Sequence, residues 1–452
     1  MTESSRKKVL ILTYYWPPSG GSGVQRWLKF AKFMREFGYE PMIYTADEAE
    51  YPSIDESLYR DIPPNLTVLR KKVWEPYKLY KWFTFQKKGH RINTGFLNKD
   101  KKGGLAEKIS VWIRGNLFIP DARKFWIKPS VRYLTRYLKD HPVNVLVSTG
   151  PPHSLHLIAC KVSERLKLPW VADFRDPWTK IDFYQDLMLG ARANRKHQRL
   201  ERKVLVSANA VTVISQQMKQ QFEEMGCRNI RVITNGFDPE DFYPANNGPA
   251  AETPQPEGEK DQGFSFVHIG SIVPSRNPVV FWNALSELVR ENHDFARDLH
   301  VKLAGAIDHS VYRSLEKANL EDRTEIIDYL PHKEAIAVLK NARVLLLLIN
   351  DTPNARGILT GKIFEYMSSG RPVLAIGPTD GEVAKVLRET GTGQIVDFHD
   401  KDGLKNMILD LYGRFREGNL MVTAKNLDRY SRRTLTGKMT ELFGDLLDDT
   451  IR

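Results

Sequence analysis

Cysteine is almost missing from this chain: Cys160 and Cys227 are the only two among 452 residues. They lie far apart and without metal-ligand spacing, which argues against a disulfide framework and a structural zinc site. No apolar run approaches the roughly 20 residues that a membrane-spanning helix needs. The basic opening Arg6-Lys7-Lys8 leads into an apolar run of only about four residues, too short for the core of a secretory leader. That run, Val9 to Leu12, is expected to be a first strand, and the protein to be cytoplasmic. A Gly-x-Gly-x-x-Gly fingerprint is also missing, which disfavours NAD. No Asp-x-Asp pair follows an expected strand, so no bound metal is expected.

Acidic residues are scarce in one stretch. Between Tyr77 and Lys139 only Asp100, Glu107 and Asp121 are acidic, while basic residues abound and Tyr80, Trp82, Phe83, Phe85, Trp112, Phe118, Phe125 and Trp126 are interleaved. The net charge is +12. Nucleic acid, an anionic membrane surface or phosphorylated substrates each fit such a region. With 452 residues and 41% hydrophobic content, the chain is too long for one ordinary core, so two domains are expected.

Strand and helix signals alternate along most of the length. Strands are expected over 8–14, 41–45, 144–149, 170–174, 210–215 and 230–234, with helices between them. Residues 244–263 then turn rich in Pro, Gly, Ala and Glu without periodicity, which reads as a linker or exposed loop. The alternation resumes with strands over 264–269, 300–304, 325–329, 344–349 and 372–376. Such alternation makes parallel doubly wound sheets. The expected fold class is α/β, with two Rossmann-like doubly wound domains facing a central cleft. The N-terminal domain spans 1–243, the linker 244–263 and the C-terminal domain 264–430. A last helix over 431–452 packs back on the first domain.

The most informative segment runs from Thr360 to Leu374. Apolar strands flank it, and between them a short helix has Thr360 as its expected N-cap and Gly370 as its stop. Lys362 and Glu365 share one helix face, while Ile363, Tyr366 and Met367 share another. A cation and a carboxylate thus stand beyond the carboxyl end of a parallel strand. Nucleotides bind at such places: the lysine and the helix start at Gly361 suit phosphate, and the glutamate can accept from ribose hydroxyls.

Other strand-end loops concentrate glycine and ionisable groups. Gly20-Gly21-Ser22-Gly23 either lets backbone amides approach a phosphate or sugar, or only makes a tight turn. Asp173-Phe174-Arg175-Asp176 is either an ion-pair knot or an acceptor site, where a carboxylate orients or deprotonates a hydroxyl and Arg175 binds an anion. His153 is a candidate base or an ordinary histidine near a helix start. Arg276 is a candidate anion ligand or a solvated surface charge.

In their order and spacing these segments resemble the family 4 retaining glycosyltransferases, whose fold is GT-B. The segment around Lys362 and Glu365 looks like the family's nucleotide-binding segment. Pro17-Pro18 through Gly20-Gly21 to Arg26 is similar to its Gly-Gly loop, and Gly270 to Arg276 to its diphosphate loop. Residues 201–215 and 232–238 resemble the stretch leading to the interdomain crossover. Three positions depart from the pattern: Gly357 stands where the family has its first glutamate, Ser271 replaces a basic residue, and Arg175 stands where a histidine is frequent. A branch acting on surface polysaccharides shows comparable Asp-Arg-Asp sequences.

The resemblance implies metal-independent transfer of a hexose-type sugar from a nucleoside-diphosphate sugar to a hydroxyl of a glycan or lipid-linked acceptor. Arg276, Gly361 and Lys362 would hold the diphosphate, Glu365 the ribose, and Gly20 and Gly21 the diphosphate and reacting sugar. Asp173, Arg175, Asp176 and His153 would serve the acceptor. No cofactor is implied, the nucleotide sugar being substrate. An anionic membrane surface is a further expected partner, met at the inner membrane face, and nucleic acid is not. Two alternatives stand beside this reading: a sugar-nucleotide epimerase of the same architecture, and a nucleic-acid-binding protein, which would not require the strand-end residues.

Overall fold

The computed structural model describes residues 6–47, 49, 51, 53–74, 105–182, 184–243 and 263–451. Residues 244–262 of the expected linker and 77–104 of the basic aromatic stretch lie outside the described residues. The chain forms two compact units, Met1–Thr234 with Arg432–Arg452, and Asn235–Ser431.

The first unit is built on a seven-stranded parallel sheet of order β3-β2-β1-β4-β5-β6-β7. Its strands are β1 (Lys7–Leu12), β2 (Tyr39–Asp47), β3 (Thr67–Lys72), β4 (Val145–Gly150), β5 (Trp170–Phe174), β6 (Ala210–Val213) and β7 (Ile230–Val232). The central strands β4 and β5 are buried at every residue, as parallel strands covered on both faces must be. Alternate side chains of β1 feed opposite layers: Leu10 and Leu12 enter one core cluster, Val9 and Ile11 the other. Helices α1 (Ser22–Met34), α2 (Leu105–Leu117), α3 (Ile127–Asp140), α4 (Ser154–Leu166) and α5 (Ala191–Ser207) belong to this unit.

The second unit holds a six-stranded parallel sheet of order β10-β9-β8-β11-β12-β13. Its strands are β8 (Phe264–Ile269), β9 (Leu299–Ala304), β10 (Thr324–Ile327), β11 (Val344–Leu348), β12 (Val373–Ile376) and β13 (Gly393–Val396). Winding reverses between β8 and β11. These two strands share only the register pairs Phe266–Val344 and Val267–Leu345, so they part toward their carboxyl ends, where doubly wound sheets receive ligands. Helix α6 (Lys362–Ser368) follows β11, with Ile363, Phe364, Tyr366 and Met367 buried. Gly361 is its N-cap, while Thr360, expected there, accepts the Lys362 N–H at 3.2 Å. Residues 235–243 belong to this unit, ahead of the expected boundary, because Phe237 and Phe242 lie in its core.

The last helix, α7 (Arg432–Ile451), is part of the first unit. Its Leu435, Met439, Leu442 and Phe443 join Trp27, Leu28 and Ala31 of α1 in one buried cluster.

One carboxylate ties the first sheet together. Asp173, fully buried on β5, accepts from Arg26 Nη2 at 2.8 Å and from Arg26 Nε at 3.1 Å. Trp27 Nε1, Thr149 Oγ1 and Thr212 Oγ1 donate to it at 2.8, 2.8 and 2.7 Å. Arg26 in turn donates to the carbonyls of Ile233 and Thr234 at 2.9 and 2.7 Å. Burial alone would raise the Asp173 pKa, but the Arg26 charge and the bonds from Arg26, Thr212 and Trp27 outweigh it and hold it at about 2.

Removing this carboxylate leaves the Arg26 charge buried and uncompensated. Asp173→Ala should therefore destabilise the first unit by about 3–5 kcal/mol, seen as a lower denaturant midpoint by tryptophan fluorescence; an unchanged midpoint contradicts the clamp. The folded pKa lies below the unfolded value of about 3.9. The clamp's contribution is thus complete above about pH 4 and is lost as pH falls through about 2.

Candidate functional site

Of the expected donor residues, Arg276, Gly361, Lys362 and Glu365 lie in the second unit, where β8 and β11 part. Gly270 follows β8 with φ +127, and a Cβ there would stand 2.2 Å from Lys362 Cε and 2.3 Å from its Nζ. Any side chain at 270 would strain the backbone and displace the lysine. Arg276 closes a short turn after β8. Its Nε donates to Asn350 Oδ1 at 2.7 Å and its Nη1 to the Ser271 carbonyl at 2.9 Å. Because Asn350 follows β11, Arg276 links the loops on either side of the switch point. Tyr366 Oη accepts the Ile269 N–H at 2.9 Å, seating α6 on the end of β8.

Lys362 and Glu365 are both half-buried on α6. Burial, then the neighbouring Arg276 charge, pushes the Lys362 ammonium down to about 7, against the pull of Glu365. Two cations and one carboxylate thus share a partly dry crevice, an arrangement suited to a polyanion with hydroxyl groups beside it. Gly357 lies in the turn Ala355–Gly357, and its N–H donates to the Asn354 carbonyl at 3.0 Å. A nearby cavity of about 340 Å³, lined by Thr352, Arg356, Asp380, Asp397 and Phe398 among others, includes none of the expected site residues.

Sequence reasoning passed over His268 on β8. Its ring is fully buried, Nδ1 lies 2.8 Å from the Leu346 carbonyl, and Nε2 has no partner. The available signal was a lone imidazole within a largely apolar strand, two residues ahead of Gly270.

In the first unit, Arg175 gathers three strand-end loops. Its Nη1 donates to the Gly23 carbonyl at 2.8 Å, its Nε to the Gly150 carbonyl at 3.3 Å, and its Nη2 to the Pro151 carbonyl. It therefore clamps backbone rather than standing as the knot between two carboxylates. The placing of Asp173 at an acceptor is likewise corrected: that carboxylate is inaccessible and engaged by the donors already described. Asp176 is half-buried, and burial raises its pKa against the attraction of Arg175. Of the two aspartates it is the one placed to accept a hydroxyl proton.

His153 is buried and stacks on Trp178 at 4.6 Å, and its Nδ1 has no partner. Burial, then His156, Arg175 and His197, lowers its pKa well below the ordinary histidine range, so it is neutral. Trp178 is fixed in turn: its Nε1 donates to His197 Nδ1 at 3.0 Å, and its backbone N–H to Glu201 Oε1 at 3.1 Å. Gly20 is buried with its N–H on the Ser53 carbonyl at 2.9 Å, and Gly21 precedes the first residue of α1. The expected donor residues are thus divided, Gly20 and Gly21 belonging to the first unit and Arg276, Gly361, Lys362 and Glu365 to the second.

Comparisons with known proteins bear on the family and the fold. A model of Glycosyltransferase Family 4 matches residues 84–241, and one of Glycosyl transferases group 1 matches residues 263–414. No curated protein matches the sequence at a significant level. Among solved structures, sucrose-phosphate synthase from Thermosynechococcus elongatus aligns with TM-score 0.61 at 13% identity, covering 98% of this chain and 100% of the other. Anabaena HepE in complex with UDP and glucose aligns with TM-score 0.61 at 14% identity, over 97% and 100% of the two chains. WaaG, a glycosyltransferase involved in lipopolysaccharide biosynthesis, aligns with TM-score 0.54 at 12% identity, over 98% of both. At such identities the likeness speaks for the fold. The chain pairs a Glycosyltransferase Family 4 domain with a Glycosyl transferases group 1 domain on two parallel-sheet Rossmann-like units, which makes it a glycosyltransferase of the GT-B type.

Proposed function

We propose that this protein moves a sugar from a nucleoside-diphosphate sugar to a hydroxyl of a glycan or lipid-linked acceptor, with retention and without a metal. The observation that carries the reading is the pairing of Lys362 and Arg276 where β8 and β11 part, with Glu365 on the same helix face as the lysine. Charge building on a departing diphosphate is offset by preorganised cations, and two are in place here. Glu365 would accept from ribose hydroxyls. Asp176, with neutral His153 nearby on the same unit, would orient the acceptor hydroxyl. Gly20 and Gly21 would lie against the diphosphate and the sugar. HepE with UDP and glucose, and WaaG with its part in lipopolysaccharide biosynthesis, lend support to a nucleotide-sugar donor and a surface-polysaccharide acceptor.

The acceptor reading extends to a membrane surface. Among the described residues no helix is long and apolar enough to cross a membrane. Yet Trp74, Ile109, Trp112, Leu117 and Phe125 are large apolar side chains left exposed on the first unit. Trp74 and Phe125 meet edge to face at 4.8 Å, and the Lys124 ammonium lies 5.0 and 4.8 Å from the Phe118 and Phe125 rings. Lys128, Arg132, Arg136 and Lys139 of α3 are exposed. Exposed aromatics beside lysines suit the headgroup layer of an anionic leaflet, where each basic residue is worth about 1 kcal/mol.

Thermal-shift screening against UDP-, GDP-, dTDP- and CMP-sugars tests the donor, since a bound ligand raises the melting midpoint by mass action. One of them should stabilise the protein, and Lys362→Ala and Glu365→Ala should each cut donor turnover about tenfold or more, as expected for one charged hydrogen bond. Unchanged donor binding in both folded variants contradicts the site. Release of free or altered sugar without any acceptor would instead mark an epimerase. Activity should survive EDTA; loss restored by magnesium or manganese contradicts the metal-free reading. In co-sedimentation the protein should follow anionic vesicles and be released by salt, whereas equal partitioning with neutral vesicles at low salt contradicts the membrane surface.

A further inference from the structure

His268 fills the split between β8 and β11. Beyond the two shared register pairs, its imidazole supplies the next link between the strands, with Nδ1–H donating to the Leu346 carbonyl at 2.8 Å. A carbonyl accepts only, so this bond fixes the tautomer and leaves a lone pair on Nε2. That nitrogen is buried and has no partner, and buried polar atoms are seldom left so without a ligand or proton to come.

The charged groups that act on the ring are Lys362 from α6 and Arg276 from the turn after β8. Glu365 on α6 acts on both Lys362 and the nearby Tyr366, and β11 contributes the Leu346 carbonyl. Burial, then these two cations, keeps the ring neutral in the free protein. A polyanion held by the same two cations reverses the local field and favours the protonated ring.

The geometry points to His268 as a third phosphate contact of the crevice, neutral in the free protein and protonated at Nε2 when a diphosphate lies beside Lys362 and Arg276. This rests on the nucleotide-sugar reading of the same crevice. The proton comes from the buffer, and no covalent bond to phosphorus forms. With both ring nitrogens protonated, one N–H stays on the Leu346 carbonyl and the other donates to a phosphate oxygen, a charge-assisted bond. Sequence resemblance gave this residue no role; its place in the strand split and its unpartnered nitrogen do.

Lys362 also titrates, at about 7, so its proton must be separated from that of His268. Lys362→Arg keeps a fixed charge at the position, and His268→Gln keeps an N–H for the Leu346 carbonyl. UDP, GDP and dTDP are each titrated calorimetrically near pH 6 in two buffers of unlike ionisation enthalpy, which yields the protons taken up per nucleotide bound. The Lys362→Arg protein should take up about one proton, and the Lys362→Arg, His268→Gln protein about none. In the unaltered protein, the His268 ring resonances should move to imidazolium values on adding the nucleotide that binds. Equal uptake with and without His268, or unmoved ring resonances, overturns the assignment and leaves nucleotide binding intact. Failure of all three nucleotides to bind the unaltered protein overturns both.

Discussion

The first unit depends on a single buried ion pair. Asp173 and Arg26 are almost wholly shut from solvent, a situation that desolvation makes unfavourable unless every lone pair and proton is used. Here they are: threonines from the two neighbouring strands and two residues of α1 converge on one carboxylate. The arginine then carries the connection to the carbonyls of Ile233 and Thr234, where the chain leaves that unit for the second. Asp173 also fixes the start of the loop that bears Arg175 and Asp176. The positions of the half-buried aspartate and of the Arg175 clamp are therefore set by a group that is itself shut from solvent.

In the second unit a missing set of ladder bonds plays the corresponding part. Strands β8 and β11 pair over two residues and then separate, and the separation makes room for Gly270, Lys362, Arg276 and the His268 ring. Gly270 is needed there for its positive φ and for the space that Lys362 occupies. The Tyr366 hydroxyl on Ile269 N–H and the Arg276 guanidinium on Asn350 hold the two sides of the split in register. Regular pairing would have been more stable locally, but it would have closed the crevice.

Much of this architecture was legible in the sequence, and what escaped has physical causes. The strand over 344–348 was placed to within one residue of its observed limits because a continuous apolar run buried on both faces leaves little choice. The edge strands β3 and β13 were missed. Their residues are partly exposed and polar, TVLRKK and GQIV, so neither alternation nor an apolar run marks them. The neighbourhood of Lys362, Glu365 and Arg276 could be anticipated because helix spacing and strand-end position are local properties. The roles of Asp173 and Arg175 could not be assigned locally. Adjacent side chains on a strand end face opposite ways, and only the packing of α1 over the sheet decides which carboxylate is buried. His268 showed in the sequence only as a lone imidazole in a largely apolar strand, because its tautomer is set by a carbonyl 78 residues away.

The donor crevice also explains why two cations sit close together in a partly dry place. Like charges in low dielectric repel, and the depressed Lys362 pKa is the visible sign of that repulsion together with burial. An arrangement that is unfavourable when empty becomes favourable when a polyanion enters, because the same low dielectric then strengthens attraction. The strain is smallest when Lys362 is neutral and greatest when it is charged, so proton uptake and anion binding reinforce each other at this position. His268, kept neutral by burial and then by the same pair of cations, follows the same rule.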